Sequence, residues 1–332
     1  MEGTVLVTGG AGFVGATLVR ELVRRGARVR VLDDLSCGRL ERIAPEVRSG
    51  AIEFLRGSVL DRGDLASAVR DVSAIVHLAA IVGVERVVRD PERALLENVA
   101  GVRAVLGEAL RIGAPLVFAS SSEVYGPGDG RAMREDDEPL RGAGDSSRWS
   151  YAVAKLAGER MIAAAARSGA VRGISLRFFN TTGPEQTPDS GMVLPRFCAD
   201  AVERGTITVH GDGSQVRSFS HVADVAAAVA DLLQRVDATF DGRVFNVGSG
   251  RAVSVLELAH LVAARTGASV RTVPHADAFG PDFEDVRHRV PDLAALRDAI
   301  GQRRPVPLEL VVDEALVAAR QRASSPIVLA AP

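Results

Sequence analysis

Apolar and polar residues follow two rhythms along this chain. Up to about residue 180, short unbroken apolar runs recur at 4–8, 28–32, 52–55, 74–80, 115–119 and 173–180. Between them lie stretches with helical periodicity at 16–25, 65–69, 91–112 and 150–167; in the first, Leu18, Val19, Leu22 and Val23 share one face. Continuous apolar strands separated by helices predict a parallel sheet covered on both faces, with its ligand at the carboxyl ends of the strands. Beyond residue 180 the alternation breaks. Pro184, Pro188, Gly191 and Pro195 mark a loop, and the pattern then predicts a helix at 195–204, a strand at 207–209, a helix at 222–233, a strand at 244–247 and helices at 254–266, 292–300 and 308–322. The fold class is therefore α/β: a doubly wound parallel sheet with a smaller C-terminal α/β substrate-binding domain. The expected division is 1–178 with 218–247 returning to it, then 179–217 with 248–322, and a tail at 323–332. The segment 126–148, rich in Gly, Asp, Glu and Arg, reads as a surface loop near the site mouth.

Composition narrows the setting. The chain has 332 residues, 47% hydrophobic and 25% charged, with a formal net charge of -2, so nothing marks a nucleic-acid or membrane partner. No apolar run reaches bilayer length, and no basic leader precedes the first strand, so a cytoplasmic location is expected. Cys37 and Cys198 have neither disulfide nor metal spacing, and no metal is expected. Of 40 Lys plus Arg, the only lysine is Lys155, and the only tyrosines are Tyr125 and Tyr151. A lone lysine among arginines points to a role that a tunable ammonium fills and a guanidinium does not.

The first strand runs into Thr8-Gly9-Gly10-Ala11-Gly12-Phe13-Val14-Gly15 and then a helix. A strand, a glycine turn and a helix N-terminus make a pyrophosphate site, with Gly9 for the turn, Gly12 for phosphate approach and Gly15 for close helix packing. The second strand ends in Asp33-Asp34, about 20 residues on, where an acid binds the adenosine ribose hydroxyls. A carboxylate there repels an additional 2′-phosphate, so the cofactor reads as NAD with Asp33 as ribose ligand. Ala79 and Ala80 would let the cofactor lie across a strand end. His77, alone on an apolar strand, is expected to be a satisfied core residue.

Tyr151 and Lys155 are four apart on one helical face, and Ser120-Ser121-Ser122-Glu123 ends the fifth strand. A nearby ammonium and a positive nicotinamide ring would lower the tyrosine pKa, so that its phenolate takes a proton from a sugar hydroxyl while hydride leaves. Ser121 is placed to hydrogen-bond the same oxygen.

With these motifs the chain resembles the extended short-chain dehydrogenase/reductases, in the nucleotide-sugar epimerase/dehydratase/decarboxylase branch, a Rossmann-type fold. The resemblance spans nearly the whole chain and includes His77-Leu78-Ala79-Ala80, Arg177-x-x-Asn180-x-x-Gly183-Pro184, Arg217-Ser218-Phe219-Ser220-His221 and Arg289-Val290-Pro291-Asp292. It implies Tyr151 as base with Lys155 and Ser121, and Ser122 and Glu123 facing the sugar. It also implies further NAD contacts at Phe13, Val14, Asp34, Ser36, Gly38, Ser58, Val59, Leu78, Asn98, Ser120 and Phe178. Asn180, Arg217 and Arg289 would hold the diphosphate, with Val193, Leu194, Arg196 and Val209 around the rest of the substrate. Two positions depart from the family: Ser58 stands where an acid often reads adenine, for which Asp61 or a backbone carbonyl would substitute, and Glu185 stands where members acting on glucuronate often carry arginine. A dehydratase needs an Asp-Glu pair before Val-Tyr-Gly, and the chain has Ser122-Glu123. The expected activity is a UDP-sugar 4-epimerase, UDP-glucuronate first and UDP-glucose second. UDP-glucuronate decarboxylase is the alternative, and a non-catalytic NAD sensor the lesser one. Helices 91–112 and 150–167 resemble the family's dimer-forming pair, so a homodimer is expected.

Overall fold

A computed structural model describes residues 3–144, 147–188, 191–275, 277 and 286–324. The first six strands are β1 (Thr4–Thr8), β2 (Arg28–Asp33), β3 (Ile52–Arg56), β4 (Val72–His77), β5 (Leu116–Ser121) and β6 (Gly173–Phe178). The later ones are β7 (Thr181–Thr182), β8 (Thr206–His210), β9 (Val216–Arg217), β10 (Ser220–His221), β11 (Val244–Val247), β12 (Val253–Ser254), β13 (Ser269–Val273) and β14 (His288–Arg289). The main sheet has seven strands in the order β11-β6-β5-β4-β1-β2-β3, every neighbouring pair parallel. Val5, Leu6 and Val7 are all fully buried, which only a sheet covered on both faces allows. The order reverses between β1 and β4, and their carboxyl ends flank the crevice where such sheets bind ligands.

One face is covered by helices Phe13–Arg24 and Val222–Leu233, which bury Leu18, Val19 and Leu22 against Val225, Val229 and Leu232. On the other, helices Pro91–Ile112 and Ser150–Arg167 pack over Leu6, Ile75 and Leu116. Helix Ser150–Arg167 approaches the sheet closely at Gly158, where an added Cβ would lie 2.7 Å from the Phe118 ring. A second core unites helices Val193–Arg204, Val255–Thr266 and Leu308–Ser324 around Phe197, Cys198, Val209, Leu258 and Val311.

The pattern missed the two-residue strands. β9 pairs antiparallel with β12 and parallel with β14, and β7 pairs with β10, from segments far apart in sequence. No periodicity is legible in two residues. The short helices Ala44–Arg48 and Val84–Arg89 were missed for the same reason. Predicted strand 74–80 stops at His77, because the chain bends there to approach Gly9. The segment 126–148 is more than a surface loop: Met133 is buried, its N–H donates to Val290 O at 2.8 Å, and its carbonyl accepts from Asp292. The tail expected at 323–332 lies outside the described residues from 325 onward.

Candidate active site

The glycine turn is shaped by its own backbone. Gly9 has φ +72°, and a Cβ there would lie 2.6 Å from Ala79 N; one on Gly15 would lie 2.2 Å from Gly9 O. Side chains at either position would fill the cradle between the turn and the end of β4. The helix Phe13–Arg24 starts directly behind it, with no side chain capping its N-terminal N–H groups. Those donors suit a pyrophosphate. Asp33 locks the turn to the next strand: one carboxylate oxygen accepts from Ala11 N at 2.9 Å, the other from Leu35 N at 2.8 Å. Burial pushes its carboxyl above the usual range, and these two N–H groups oppose that. Leu35 holds φ 64°, a left-handed value rare for a side-chain-bearing residue, and Gly38 leaves room for the Asp33 carboxylate. Asp34 accepts from Ser36 N and folds the same loop.

Across the crevice, Thr8 Oγ1 meets His77 Nδ1 at 2.8 Å. Burial, then the Lys155 charge, push the His77 imidazole down to about 3, so it is a neutral core residue. Asn98 positions the turn after β4 by accepting from Ile81 N and donating to Ile81 O. Val14, Leu78 and Phe178 pack on one face of the main sheet and Val59 on the other. Ser58 donates its N–H to Asp64, while Asp61 caps helix Arg62–Ala68, so the Asp61 carboxylate is committed to a structural task.

Tyr151, Lys155 and Ser121 converge at the end of β5. Lys155 Nζ donates to Ala119 O at 2.7 Å and lies 5.6 Å from the Tyr151 ring centre. Tyr151 hydrogen-bonds Ser121, whose hydroxyl also accepts from Glu123 N. Sequence reasoning expects a lowered phenol pKa; burial and then the Glu123 charge instead push it up in the protein itself, with only Ser121 pulling down. Burial pushes Lys155 down to about 7, against the opposing charge of Glu159. The lysine alone therefore does not make a phenolate, and a further positive charge must come with the ligands.

Behind this cluster sits a network that sequence reasoning missed. Glu159 accepts from Arg177 through both carboxylate oxygens, at 2.9 and 2.8 Å, and from Ser120 Oγ at 2.5 Å, with both side chains of the pair 3% exposed. The Ser120 hydroxyl, expected among the cofactor contacts, is thus held on Glu159. Arg177 stacks over Tyr125, whose hydroxyl donates to Asn246. The available signal was spacing: Tyr151, Lys155 and Glu159 share one helical face.

The two arginines expected to hold the diphosphate are brought together by β9 and β14, whose register sets Arg217 opposite Arg289. Arg289 is 8% exposed, its Nη1 lies 3.3 Å from Glu123, and its Nε is buried without a partner. Asn180 fixes the adjoining loop, its carbonyl accepting from Ser220 N. Ser122 is buried beside Glu123. Leu194 and Val209 are buried in the second core, with the partly buried Val193 packed against it. Arg196 donates to Thr208 O and meets His210, away from Glu123. Glu185 reaches back to Arg20 at 2.9 Å, so its loop does not offer a cation to a sugar carboxylate.

Comparison with known proteins agrees with this geometry. The family described as NAD dependent epimerase/dehydratase matches residues 5–248. The UDP-N-acetyl-alpha-D-glucosaminuronate decarboxylase of Bacillus cytotoxicus is 34% identical, over 90% of this chain and 92% of its own. The UDP-glucose 4-epimerase of Thermotoga maritima, solved with UDP-glucose, superposes with a TM-score of 0.84 at 28% identity, covering 96% of this chain and 99% of that one. MoeE5, solved with UDP-glucuronic acid and NAD, gives 0.80 at 32% identity, covering 96% and 100%. The chain therefore belongs to the NAD-dependent epimerase/dehydratase family, an enzyme of nucleotide-sugar chemistry with NAD as its cofactor.

Proposed function

We propose that this enzyme decarboxylates a UDP-uronic acid, UDP-glucuronate or its 2-acetamido analogue, through a transient 4-ketone. The observation that carries this reading is the Glu123–Arg289 pair beside Tyr151. Sequence reasoning put the 4-epimerase first; the decarboxylase likeness supports the alternative instead. A guanidinium with a buried, unpartnered Nε suits a sugar carboxylate and answers what Glu185 does not supply.

NAD, when bound, accepts a hydride from C4 and returns it. Tyr151, with Ser121, takes the proton from O4 as that hydride leaves, and Lys155 stabilises the phenolate once formed. The product is a β-keto acid, whose C5–carboxylate bond breaks to release carbon dioxide and leave an enolate. Arg289 holds the carboxylate, and the Glu123 charge beside it favours conversion of that carboxylate into neutral carbon dioxide. Arg217 and Asn180 hold the diphosphate. A proton from solvent at C5, the hydride returned to C4 and the Tyr151 proton returned to O4 would give a UDP-pentose, so atoms balance and no net oxidant is consumed. Helices Pro91–Ile112 and Ser150–Arg167 expose Leu96 (59%), Leu110 (40%) and Val153 (40%), which supports a homodimer through that face.

The second reading is 4-epimerisation, favoured by the likeness to the Thermotoga maritima enzyme. Incubation with UDP-glucuronate and separately with UDP-N-acetylglucosaminuronate, followed by mass spectrometry and proton NMR, tests both. Loss of carbon dioxide from either supports the proposal; a product of unchanged mass with an inverted C4 supports the epimerase.

A further inference from the structure

Glu185 stands where an arginine is expected in members acting on glucuronate, and its carboxylate is turned to another task. It lies in the loop after β7, on the substrate side, yet its carboxylate accepts from Arg20 on helix Phe13–Arg24 at 2.9 Å. Its backbone carbonyl accepts from Arg42 Nη2 at 3.1 Å. Arg20 Nη1 in turn donates to Arg42 O at 2.9 Å, which closes a three-residue ring. Arg42 ends the segment that begins at Asp33 and Gly38, the walls of the adenosine end. That segment is tied to the glycine turn by Arg39 N donating to Ala11 O at 2.9 Å. Gly183, two residues before Glu185, is buried, and a Cβ there would lie 3.5 Å from the Phe13 ring. Three segments distant in sequence thus meet at one edge of the cofactor cradle.

We propose that Arg20, Arg42 and Glu185 form a clasp that pins the 35–42 segment to the substrate-side loop and so slows NAD release. The reaction class makes this useful: an enzyme that returns its hydride in each cycle has no need to exchange the cofactor. Glu185 is a positioning residue here. It acts on the loop and not on the reacting atoms. The proposal rests on NAD as the cofactor and not on decarboxylation, because release is measured without any sugar.

The test is the rate at which protein loaded with NAD loses it to a large excess of a competing adenine nucleotide. For Glu185→Gln, release is expected to accelerate roughly fivefold, the scale of a half-exposed ion pair, while UDP affinity and Tm hold. Arg20→Gln should behave alike. Arg20→Glu combined with Glu185→Arg should restore slow release. Wild-type release should quicken with salt, and that of Glu185→Gln should not. A wild-type release rate in both single variants overturns the proposal. So does a reversed pair that stays as fast as the singles, which would make Glu185 merely structural.

Discussion

The glycine turn and the arginine pair are built in opposite ways. The turn takes its shape from a single stretch of chain, Thr8 to Gly15, and from glycines whose missing side chains create the space. The pair Arg217 and Arg289 exists only because two-residue strands, 72 positions apart, align in parallel register. The first region offers backbone N–H groups at a helix end, the second charges on long side chains. In the proposed roles a resident cofactor would be held by geometry and an exchanging substrate by charge, so the two regions should fail differently when disturbed.

The largest expected break is chemical and falls between them. Tyr151→Phe should lower turnover by roughly a hundredfold to ten-thousandfold, with NAD and UDP binding retained on titration; near wild-type turnover would remove Tyr151 from its assigned role. Next is the turn itself. Gly15→Ala forces a methyl to within 2.2 Å of the Gly9 carbonyl, which should cost about 1–3 kcal/mol of stability and strip NAD on gel filtration. On the other side, Arg289→Gln should leave stability and NAD content intact but weaken UDP-sugar binding roughly tenfold to a hundredfold, the value of a charged hydrogen bond, measured by calorimetry. If Arg289→Gln lost NAD and Gly15→Ala kept it, the comparison would be inverted.

A finer test uses pH. Burial lowers Lys155 from its ordinary 10.5 to about 7. Between these values the unfolded chain binds more protons than the folded one, so wild-type stability should gain a positive contribution as pH rises from 7 towards 10.5. Lys155→Met should remove that contribution, seen as a flatter Tm profile over this window. The smallest expected effect is at a site outside both regions: Asp61→Ala removes the cap of helix Arg62–Ala68 and should cost about 1 kcal/mol in denaturant melts, without change in activity.

What was legible in the sequence follows the same division. The parallel sheet, the glycine turn and the Tyr151–Lys155 pair are local patterns of period 3.6 or of adjacent residues, and the sheet stands as expected. The reaction was less legible, because epimerase and decarboxylase share Tyr151, Lys155 and Ser121 and part only at groups such as Glu123 and Arg289, which meet through tertiary pairing. Val209 and Leu194 were placed near the substrate by the family resemblance; their burial in the second core is a tertiary fact that no local pattern marks. Burial and Glu123 push the Tyr151 phenol up in the protein alone, whereas the lowering expected from the sequence also counts the positive charge of a bound nicotinamide ring. Glu159 was hidden as an ordinary charge and Arg177 stood only as a motif residue without a partner assigned to it, since nothing in a sequence marks a charge as buried.

The most direct measurement is an NMR time course of the purified protein with UDP-glucuronate labelled with carbon-13 at its carboxylate, with no NAD added. The account predicts labelled bicarbonate and a UDP-pentose growing together at equal rates, sustained by cofactor already bound. UDP-galacturonate that keeps its label would contradict decarboxylation and return the enzyme to the 4-epimerases.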